Sequence, residues 1–285
     1  MARWLTYLKE RFPIPVYLLL VGGISLSTQL YGGGSLSPLA IAASVVGLFL
    51  FFAELRLMDE YKDYEKDVIA HPTRPLPRGV LGREEVRRVI HALSLGMLAF
   101  AAFVALVVNP TAGALYGLVT AYLWLMYKEF YVGDWLSARP IAYAVTHQII
   151  MLPLCSFGVA IARPELALVA TTQYLGVSML GAFFAYEVCR KLDPAAHPIL
   201  KTYLSMYKAA GTIALVIAVL LVAAWGDWQI GLSKLGWPAI VLLAATLPLL
   251  VVRPGKYKVV EGLATLSLLV HLWGPAVQRI TGWPT

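Results

Sequence analysis

The chain has little charge, few acids and almost no cysteine. Only 14% of its 285 residues are charged and only 16 are Asp or Glu, while 59% are hydrophobic. A soluble domain is nearer to about a quarter charged. The two cysteines, Cys155 and Cys189, have neither the spacing of a metal site nor a disulfide framework. The sequence shows no linker, low-complexity tract or soluble domain. Its composition therefore indicates a polytopic membrane protein.

Nine apolar runs are long enough to cross a bilayer, which takes about 20 residues of helix. They lie at about 14–31, 38–57, 88–108, 112–131, 140–162, 165–188, 209–225, 236–252 and 259–279. We therefore predict an all-α bundle of nine transmembrane helices that forms a single domain over residues 1–285. Residues 1–12 mix apolar and basic side chains, which predicts a short amphipathic helix at the membrane interface.

The basic residues are distributed unevenly around these runs. If the chain crosses the membrane nine times, its connections alternate between the two sides. Only Arg163, Lys234 and Arg279 of the 23 Lys and Arg then lie on the side opposite the N-terminus. This asymmetry follows the positive-inside rule. It predicts an inner-membrane protein whose N-terminus and two long connections, 58–87 and 189–208, are cytoplasmic, with the C-terminus outside. The net charge of +7 therefore reflects topology and not nucleic-acid binding.

The most unusual polar feature is a run of five carboxylates in nine residues, from Asp59 to Asp67. On a continuous helix, the i, i+4, i+8 spacing places Asp59, Asp63 and Asp67 on one face, with Glu60 beside them. Like charges stacked in this way destabilise a helix. A hard cation such as Mg²⁺ reverses that effect, because it binds carboxylates together with substrate phosphates. The alternative is a solvated turn in which nearby lysines balance the acids.

The second long connection begins with charges of the opposite kind. Glu187, Arg190 and Lys191 lie within about one helical turn, which is common for an ion pair at a helix end. If they face the acidic run, Arg190 and Lys191 can bind an anion, because Arg holds phosphate oxygens through two bonds and Lys acts as a point charge. The matching substrate is a diphosphate with a long apolar tail, whose allylic carbon–oxygen bond breaks towards a carbocation.

The acidic run and the segment after it carry a family resemblance. Asp59-Glu60-x-x-Asp63-x-x-x-Asp67, followed by Arg74-Pro75-Leu76-Pro77-Arg78-Gly79, resembles the first signature of the UbiA superfamily of intramembrane prenyltransferases. That signature reads Asn-Asp-x-x-Asp-x-x-x-Asp and then Arg-Pro-Ile/Leu-Pro-Ser-Gly. The resemblance implies nine transmembrane helices, with motif loops after the second and sixth, and Mg²⁺–diphosphate binding by the acids.

This sequence departs from the family pattern in both motifs. In the first motif, Asp59 takes the place of the family's Asn, Glu60 that of its first Asp and Arg78 that of its Ser. The second motif, Asp-x-x-x-Asp in the family, has Glu187 in an acidic place but Lys191 four residues later. The number of metal ions and the identity of the donor therefore stay open.

Together with the charge patterns, the family resemblance implies a set of site residues. The predicted Mg²⁺ ligands are Asp59, Glu60, Asp63, Asp67 and Glu187, of which Asp63, Asp67 and Glu187 are also predicted to be catalytic. The predicted diphosphate-binding residues are Lys62, Arg74, Arg78, Lys128, Arg190 and Lys191. Lys128 resembles a basic position that the family uses on the diphosphate. His147, in the fifth span, is either a structural histidine or a hydrogen-bonding group for the acceptor.

The resemblance implies an enzyme that transfers a prenyl group from a prenyl diphosphate to a lipophilic or aromatic acceptor in the bilayer, with Mg²⁺. One alternative is a terpene cyclase of the same superfamily, which needs no acceptor. Another is a cation-binding transporter, although transporter sites usually lie near the bilayer midplane and these acids border a loop. The acceptor, the prenyl chain length and the oligomeric state are left open.

Overall fold

A computed structural model describes residues 2–31, 33 and 36–283, and all regular structure in these ranges is helical. The α-helices in this part of the chain are α1 (Ala2–Arg11), α2 (Ile14–Tyr31), α3 (Pro38–Lys62), α4 (Tyr64–Ala70), α5 (Arg83–Val107), α6 (Pro110–Tyr127), α7 (Gly133–Ser137), α8 (Pro140–Gln148), α9 (Met151–Ala162), α10 (Ala170–Cys189), α11 (Tyr203–Gln229), α12 (Ser233–Thr246), α13 (Leu249–Val252) and α14 (Tyr257–Thr281).

Among the described residues, seven helical segments are long and apolar enough to cross a membrane. They are α2, α3, α5, α8 with α9, α11, α12 with α13, and α14 with the turn before it. The predicted runs 112–131 and 165–188 correspond to α6 and α10, which have 18 and 20 residues and are not among these seven segments. The prediction of an all-α integral membrane protein is confirmed, and the count of nine spans stays a prediction.

Two of the predicted spans are interrupted where proline follows. The run 140–162 is not one helix, because α8 ends at Gln148 and α9 begins at Met151. Pro153 has no N–H to donate to the carbonyl of Ile149, four residues earlier, and its ring crowds that carbonyl. Pro248 separates α12 from α13 in the same way.

Close helix contacts in the bundle depend on small residues, as is usual in membranes. α10 packs along α11 with Gly181 against the backbone of Ala223. A Cβ at Gly181 would lie 2.5 Å from the Ala223 nitrogen, so a larger residue would push the two helices apart.

A buried polar network joins α10, α11 and α14. Ser178 Oγ donates to Asp227 Oδ1 at 2.6 Å, and His271 Nε2 lies 3.2 Å from Asp227 Oδ2. His271 Nδ1 lies 2.6 Å from the Ser267 carbonyl, so that nitrogen must carry a proton. The side chains of Ser178, Asp227 and His271 are all fully buried. This network fixes the C-terminal half of α14 against α11.

Helix α1 forms where the sequence predicts a short amphipathic helix, and polar contacts hold it against the bundle. Trp4 Nε1 donates to Glu85 Oε1 on α5 at 2.9 Å, and Arg11 Nε donates to Glu60 Oε1 on α3 at 2.6 Å. After the helix, Phe12 is buried. We call the end of the bundle that holds α1, Glu60 and the start of α5 the motif end.

Candidate active site

The acidic run lies at the motif end, where α3 stops and α4 begins. α3 ends at Lys62, and Asp63 separates it from α4 with φ −84° and ψ 3°. Asp63 is half exposed and pairs with Lys66 at 3.6 Å, whereas Asp67 is buried. The expectation that Asp59, Asp63 and Asp67 line one continuous helix face is therefore wrong. The acids instead fall into two groups, which differ in the residues that they contact.

The first group faces the end of α10. Asp59 interacts electrostatically with Asp63, and across the gap between the helices with Glu187 and Arg190. Glu187 forms ion pairs with both Arg190 and Lys191. The Glu187 carboxylate raises the pKa of the Arg190 guanidinium. The two connections singled out in the sequence therefore meet, with acids from α3 opposite a mixed acid and cation cluster.

The carboxylates of the second group, Glu60 and Asp67, form ion pairs with arginines. Glu60 is buried and pairs with Arg56, one turn earlier on α3, and with Arg11 of α1. Burial, together with the nearby Arg56, lowers the pKa of Arg11. Arg74 Nη1 lies 2.7 Å from both carboxylate oxygens of Asp67. These two carboxylates are engaged by protein cations on the side of α1.

Lys62 stands at the centre of a third cluster, between α3, α6 and α8. Its Nζ donates to Tyr143 Oη at 3.0 Å and to the Met126 carbonyl at 3.3 Å, and it pairs with Glu129 at 3.2 Å. The His147 ring stacks on Tyr143 with a centroid separation of 4.0 Å. The cluster borders the first acidic group, because a cavity of about 10 Å³ touches Asp59, Lys62 and His147.

His147 has one satisfied and one unsatisfied ring nitrogen. Nδ1 lies 2.8 Å from the Tyr143 carbonyl and so carries the proton. Nε2 is buried and has no hydrogen-bond partner among the described residues. In this tautomer Nε2 is an acceptor, and a buried acceptor without a partner costs free energy.

The residues that place Glu129 have an unusual backbone. Glu129, Phe130 and Tyr131 have φ values of 50°, 53° and 57°. Residues with a Cβ rarely adopt this left-handed region, which costs about 1–3 kcal/mol each, and such strain concentrates at functional sites. The turn directs Glu129 to Lys62 and sets the Phe130 ring edge-on to His147 at 5.8 Å. Gly133 makes room, because a Cβ there would lie 2.4 Å from a Glu129 carboxylate oxygen.

Two predicted diphosphate-binding residues have other contacts. Lys128 is exposed and lies over the rings of Trp124 and Tyr127, at 5.2 and 4.9 Å. Arg78 pairs with Glu10 of α1 at 2.7 Å and donates to a loop carbonyl. Their role towards a phosphate stays a prediction.

The donor set suits Mg²⁺ that arrives with a phosphate ligand. Within residues 2–31, 33 and 36–283, no three His, Cys, Asp or Glu side chains are placed to hold a metal ion by themselves. Mg²⁺ commonly needs only one or two carboxylates, with phosphate oxygens and water as its other ligands. Asp59, Asp63 and Glu187 supply such oxygens at one mouth of the bundle, so these residues fit the metal as part of a diphosphate complex.

Comparison with known proteins agrees with this geometry. The model of the UbiA prenyltransferase family matches residues 18–259. The chain belongs to this family. A solved structure described as an insight into digeranylgeranylglyceryl phosphate synthase in membranes is 15% identical to this UbiA chain, with a TM-score of 0.66 over 99% of this chain and 100% of that chain. This likeness shows the fold. No curated protein matches the chain.

The UbiA chain is thus an intramembrane prenyltransferase with an all-helical membrane fold. Sequence reasoning gave no role to Tyr143 or to the pair Asp227–His271. Tyr143 lies four residues before His147, so helical spacing could have paired the two. Asp227 and His271 are 44 residues apart, and each is a single polar residue near apolar sequence.

Proposed function

We propose that this UbiA protein transfers a prenyl group from a prenyl diphosphate to a lipophilic or aromatic acceptor, with Mg²⁺. The supporting observation is that the acidic end of α3 and the mixed cluster at the end of α10 face each other at the motif end. Asp59 interacts there with Asp63, Glu187 and Arg190. A diphosphate between them meets metal ligands on one side and cations on the other.

In this proposal, Asp59, Asp63 and Glu187 hold Mg²⁺. When bound, Mg²⁺ supplies positive charge to the diphosphate leaving group. Glu60 and Asp67, also predicted as ligands, already receive arginines. We therefore give them the role of positioning Arg56 and Arg74 beside the site.

The diphosphate oxygens are taken by cations that are paired with carboxylates in this structure. Lys62 pairs with Glu129, while Arg190 and Lys191 pair with Glu187. These pairs are partly exposed, so each is worth little by itself. An incoming diphosphate offers stronger, charge-assisted bonds to the same cations. Arg74 completes this set from the loop after α4.

Aromatic rings lie one to two turns into the bundle from Asp59. Phe52 is seven residues before Asp59 and so on the same face of α3. Its ring centroid lies 6.2 Å from Tyr17 and 6.3 Å from Phe183. Once the carbon–oxygen bond of the donor breaks, such ring faces stabilise the allylic cation. Their apolar surroundings keep water from that cation.

The acceptor side of the proposal rests on His147. Its buried Nε2 has no partner among the described residues, and the cavity beside it also touches Asp59. An acceptor hydroxyl that donates to Nε2 would satisfy that nitrogen and lie close to the donor diphosphate. His147 then acts as hydrogen-bond acceptor for the nucleophile.

The orientation of the protein belongs to the proposal as well. The motif end carries most of the Lys and Arg side chains, which favours the cytoplasmic side of an inner membrane. We place the N-terminus and the loops 58–87 and 189–208 on that side and treat residues 1–285 as a single domain. The donor then reaches the site from the cytoplasmic leaflet.

The test uses purified protein with Mg²⁺ and a panel of prenyl diphosphates, and measures diphosphate release with and without aromatic acceptors. We expect release that depends on an acceptor, and strong loss of it in Asp59→Ala and Asp63→Ala. Glu84→Gln is the matched control, because Glu84 is an exposed acid that pairs with Arg87 outside this site. Release without acceptor would instead indicate a cyclase. No release from any donor would contradict the enzyme assignment of the site.

A further inference from the structure

An open groove of about 490 Å³ lies at the motif end, away from the candidate active site. Helix α1 forms one wall with Arg3, and the first turns of α5 form the other with Glu85, Arg88, Val89 and Ala92. The groove therefore combines two guanidinium groups and one carboxylate with an apolar floor. Neither the acid motif nor the cluster on α10 contributes to it.

The charge in this groove is net positive. Glu85 is fully engaged, because Oε1 accepts from Trp4 Nε1 at 2.9 Å and Oε2 pairs with Arg3 at 3.3 Å. Arg88 forms no ion pair with any described residue, and its Nε makes one long bond of 3.4 Å to the Glu84 carbonyl. The terminal nitrogens of Arg88 and the second side of Arg3 are thus available to an anion.

The groove continues into a surface that faces hydrocarbon. Arg88, Ala92 and Leu95 follow an i, i+4, i+7 spacing and so share one face of α5. Leu95 is 68% exposed and Leu106, further along the same face, is 87% exposed. Since α5 is one of the membrane-spanning helices, this strip contacts acyl chains. An occupant of the groove needs an anionic head and an apolar tail that runs along α5.

We propose that this groove binds an anionic phospholipid, with its phosphate between Arg3 and Arg88 and one acyl chain along the Ala92–Leu106 strip. Basic pockets beside transmembrane helices are suited to anionic headgroups. Soluble phosphate would satisfy only the arginines and leave the strip to other lipids. The bound phosphate would also bridge Arg3 of α1 and Arg88 of α5, and α1 reaches the acid motif through Arg11 and Glu60.

Native mass spectrometry of the detergent-solubilised full chain tests this proposal, with phosphatidylglycerol and phosphatidylcholine titrated separately. The wild-type protein should retain phosphatidylglycerol in preference to phosphatidylcholine. The double variant Arg3→Gln/Arg88→Gln should lower the apparent affinity for phosphatidylglycerol at least about tenfold, because each basic group near an anionic headgroup contributes to binding. Arg87→Gln is the matched control. It removes a charge one residue away, where Arg87 pairs with Glu84 outside the groove.

A second variant separates the groove from general charge attraction. Ala92→Trp fills the floor without a change of charge and should lower phosphatidylglycerol retention as well, while circular dichroism stays that of the wild type. Equal retention by the double variant and by Arg87→Gln, or unchanged retention by Ala92→Trp, would overturn the proposal. Equal binding of the two lipids by the wild-type protein would do the same.

Discussion

Arg74 and the buried Asp67 form a partly buried ion pair that closes the loop after α4, with Arg74 Nη1 2.7 Å from both Asp67 oxygens. The pair lies beside a second one, Glu60 with Arg11, and together they join α1, α3 and the loop of the first motif. In the proposed function, the motif acids therefore serve two purposes. Asp59 and Asp63 face the ligand, while Glu60 and Asp67 hold the surrounding cations in place.

Removal of one partner of this pair should destabilise the protein. Arg74→Ala leaves the buried Asp67 carboxylate without its donor, which costs about 2 kcal/mol. The double variant with Asp67→Asn should lose less than the sum of the two single variants. Thermal denaturation in a fixed detergent checks both. The exposed pair Lys66–Asp63 is the control, and Lys66→Gln should leave the melting temperature nearly unchanged. Equal effects at both pairs would refute a special role for Arg74.

Substitutions at Lys191 test the cationic second motif. Lys191→Ala should weaken binding of an unreactive thiolo-diphosphate analogue by about tenfold, because one charge-assisted bond to phosphate is lost. Lys191→Asp restores an acid four residues after Glu187 and should increase the number of Mg²⁺ ions bound with the analogue. Isothermal titration measures both quantities. If neither variant changes binding, Lys191 contributes only to the positive charge that orients the protein in the membrane.

Chelation of divalent metal should abolish binding of the same analogue. The reason is that Asp59, Asp63 and Glu187 repel a diphosphate unless a cation lies between them. Titration with and without EDTA measures the effect, and Mg²⁺ in excess should restore binding. Tight analogue binding in metal-free protein would show that Arg190 and Lys191 suffice without a metal.

His147→Phe should raise the KM for the acceptor and leave donor binding unchanged. The variant keeps a ring stacked on Tyr143 but removes Nε2, to which the substrate hydroxyl would donate. We expect the affinity for the acceptor substrate to fall about tenfold. Steady-state kinetics with each substrate varied in turn provides the measurement. Tyr143→Phe is the comparison, since it keeps the stack but removes the hydroxyl that Lys62 contacts, and it should affect donor binding. An unchanged acceptor KM in His147→Phe would leave His147 a structural residue.

The buried network of Ser178, Asp227 and His271 lies at the end of the bundle opposite the motif end. It should affect the stability of the protein and not its catalysis. Asp227→Ala leaves Ser178 Oγ and His271 Nε2 buried without the carboxylate that they contact, at a cost of about 3 kcal/mol. Ser178→Ala removes one hydrogen bond and should cost about 1 kcal/mol. Both variants should lower the melting temperature, the first more, while turnover of the folded enzyme persists at low temperature. A loss of turnover without a loss of stability would contradict this expectation.

The sequence predicts most of the helices because each needs only a long apolar run. It does not reveal the breaks at Ile149 and Leu247 from hydropathy, although the prolines that follow them give a local reason. The motif acids and the family are also readable, since the residue types and spacing are both local. Their division into two groups is not, because it depends on Arg11 of α1 and Arg74 of the loop, which pair with these acids only after folding.

Non-local pairs explain the rest of what the sequence misses. Asp227 and His271 each look like an isolated polar residue, and only the packing of α11 on α14 shows that they satisfy each other. In the sequence Lys62 could be a counter-charge for its acidic neighbours, yet it contacts Tyr143 on α8 and Glu129 in the turn after α6. Side-chain direction at the end of α3 is decided by these distant partners.

The left-handed turn at Glu129, Phe130 and Tyr131 has a consequence for local stability. Since its backbone conformation is disfavoured locally, the turn depends on the contacts of Glu129 with Lys62 and of Phe130 with His147. We therefore expect it to open more readily than the helices around it. Amide hydrogens of residues 129–133 should exchange faster than those of α3 and α8 on either side, so the wall of the site next to His147 opens without unfolding of the bundle.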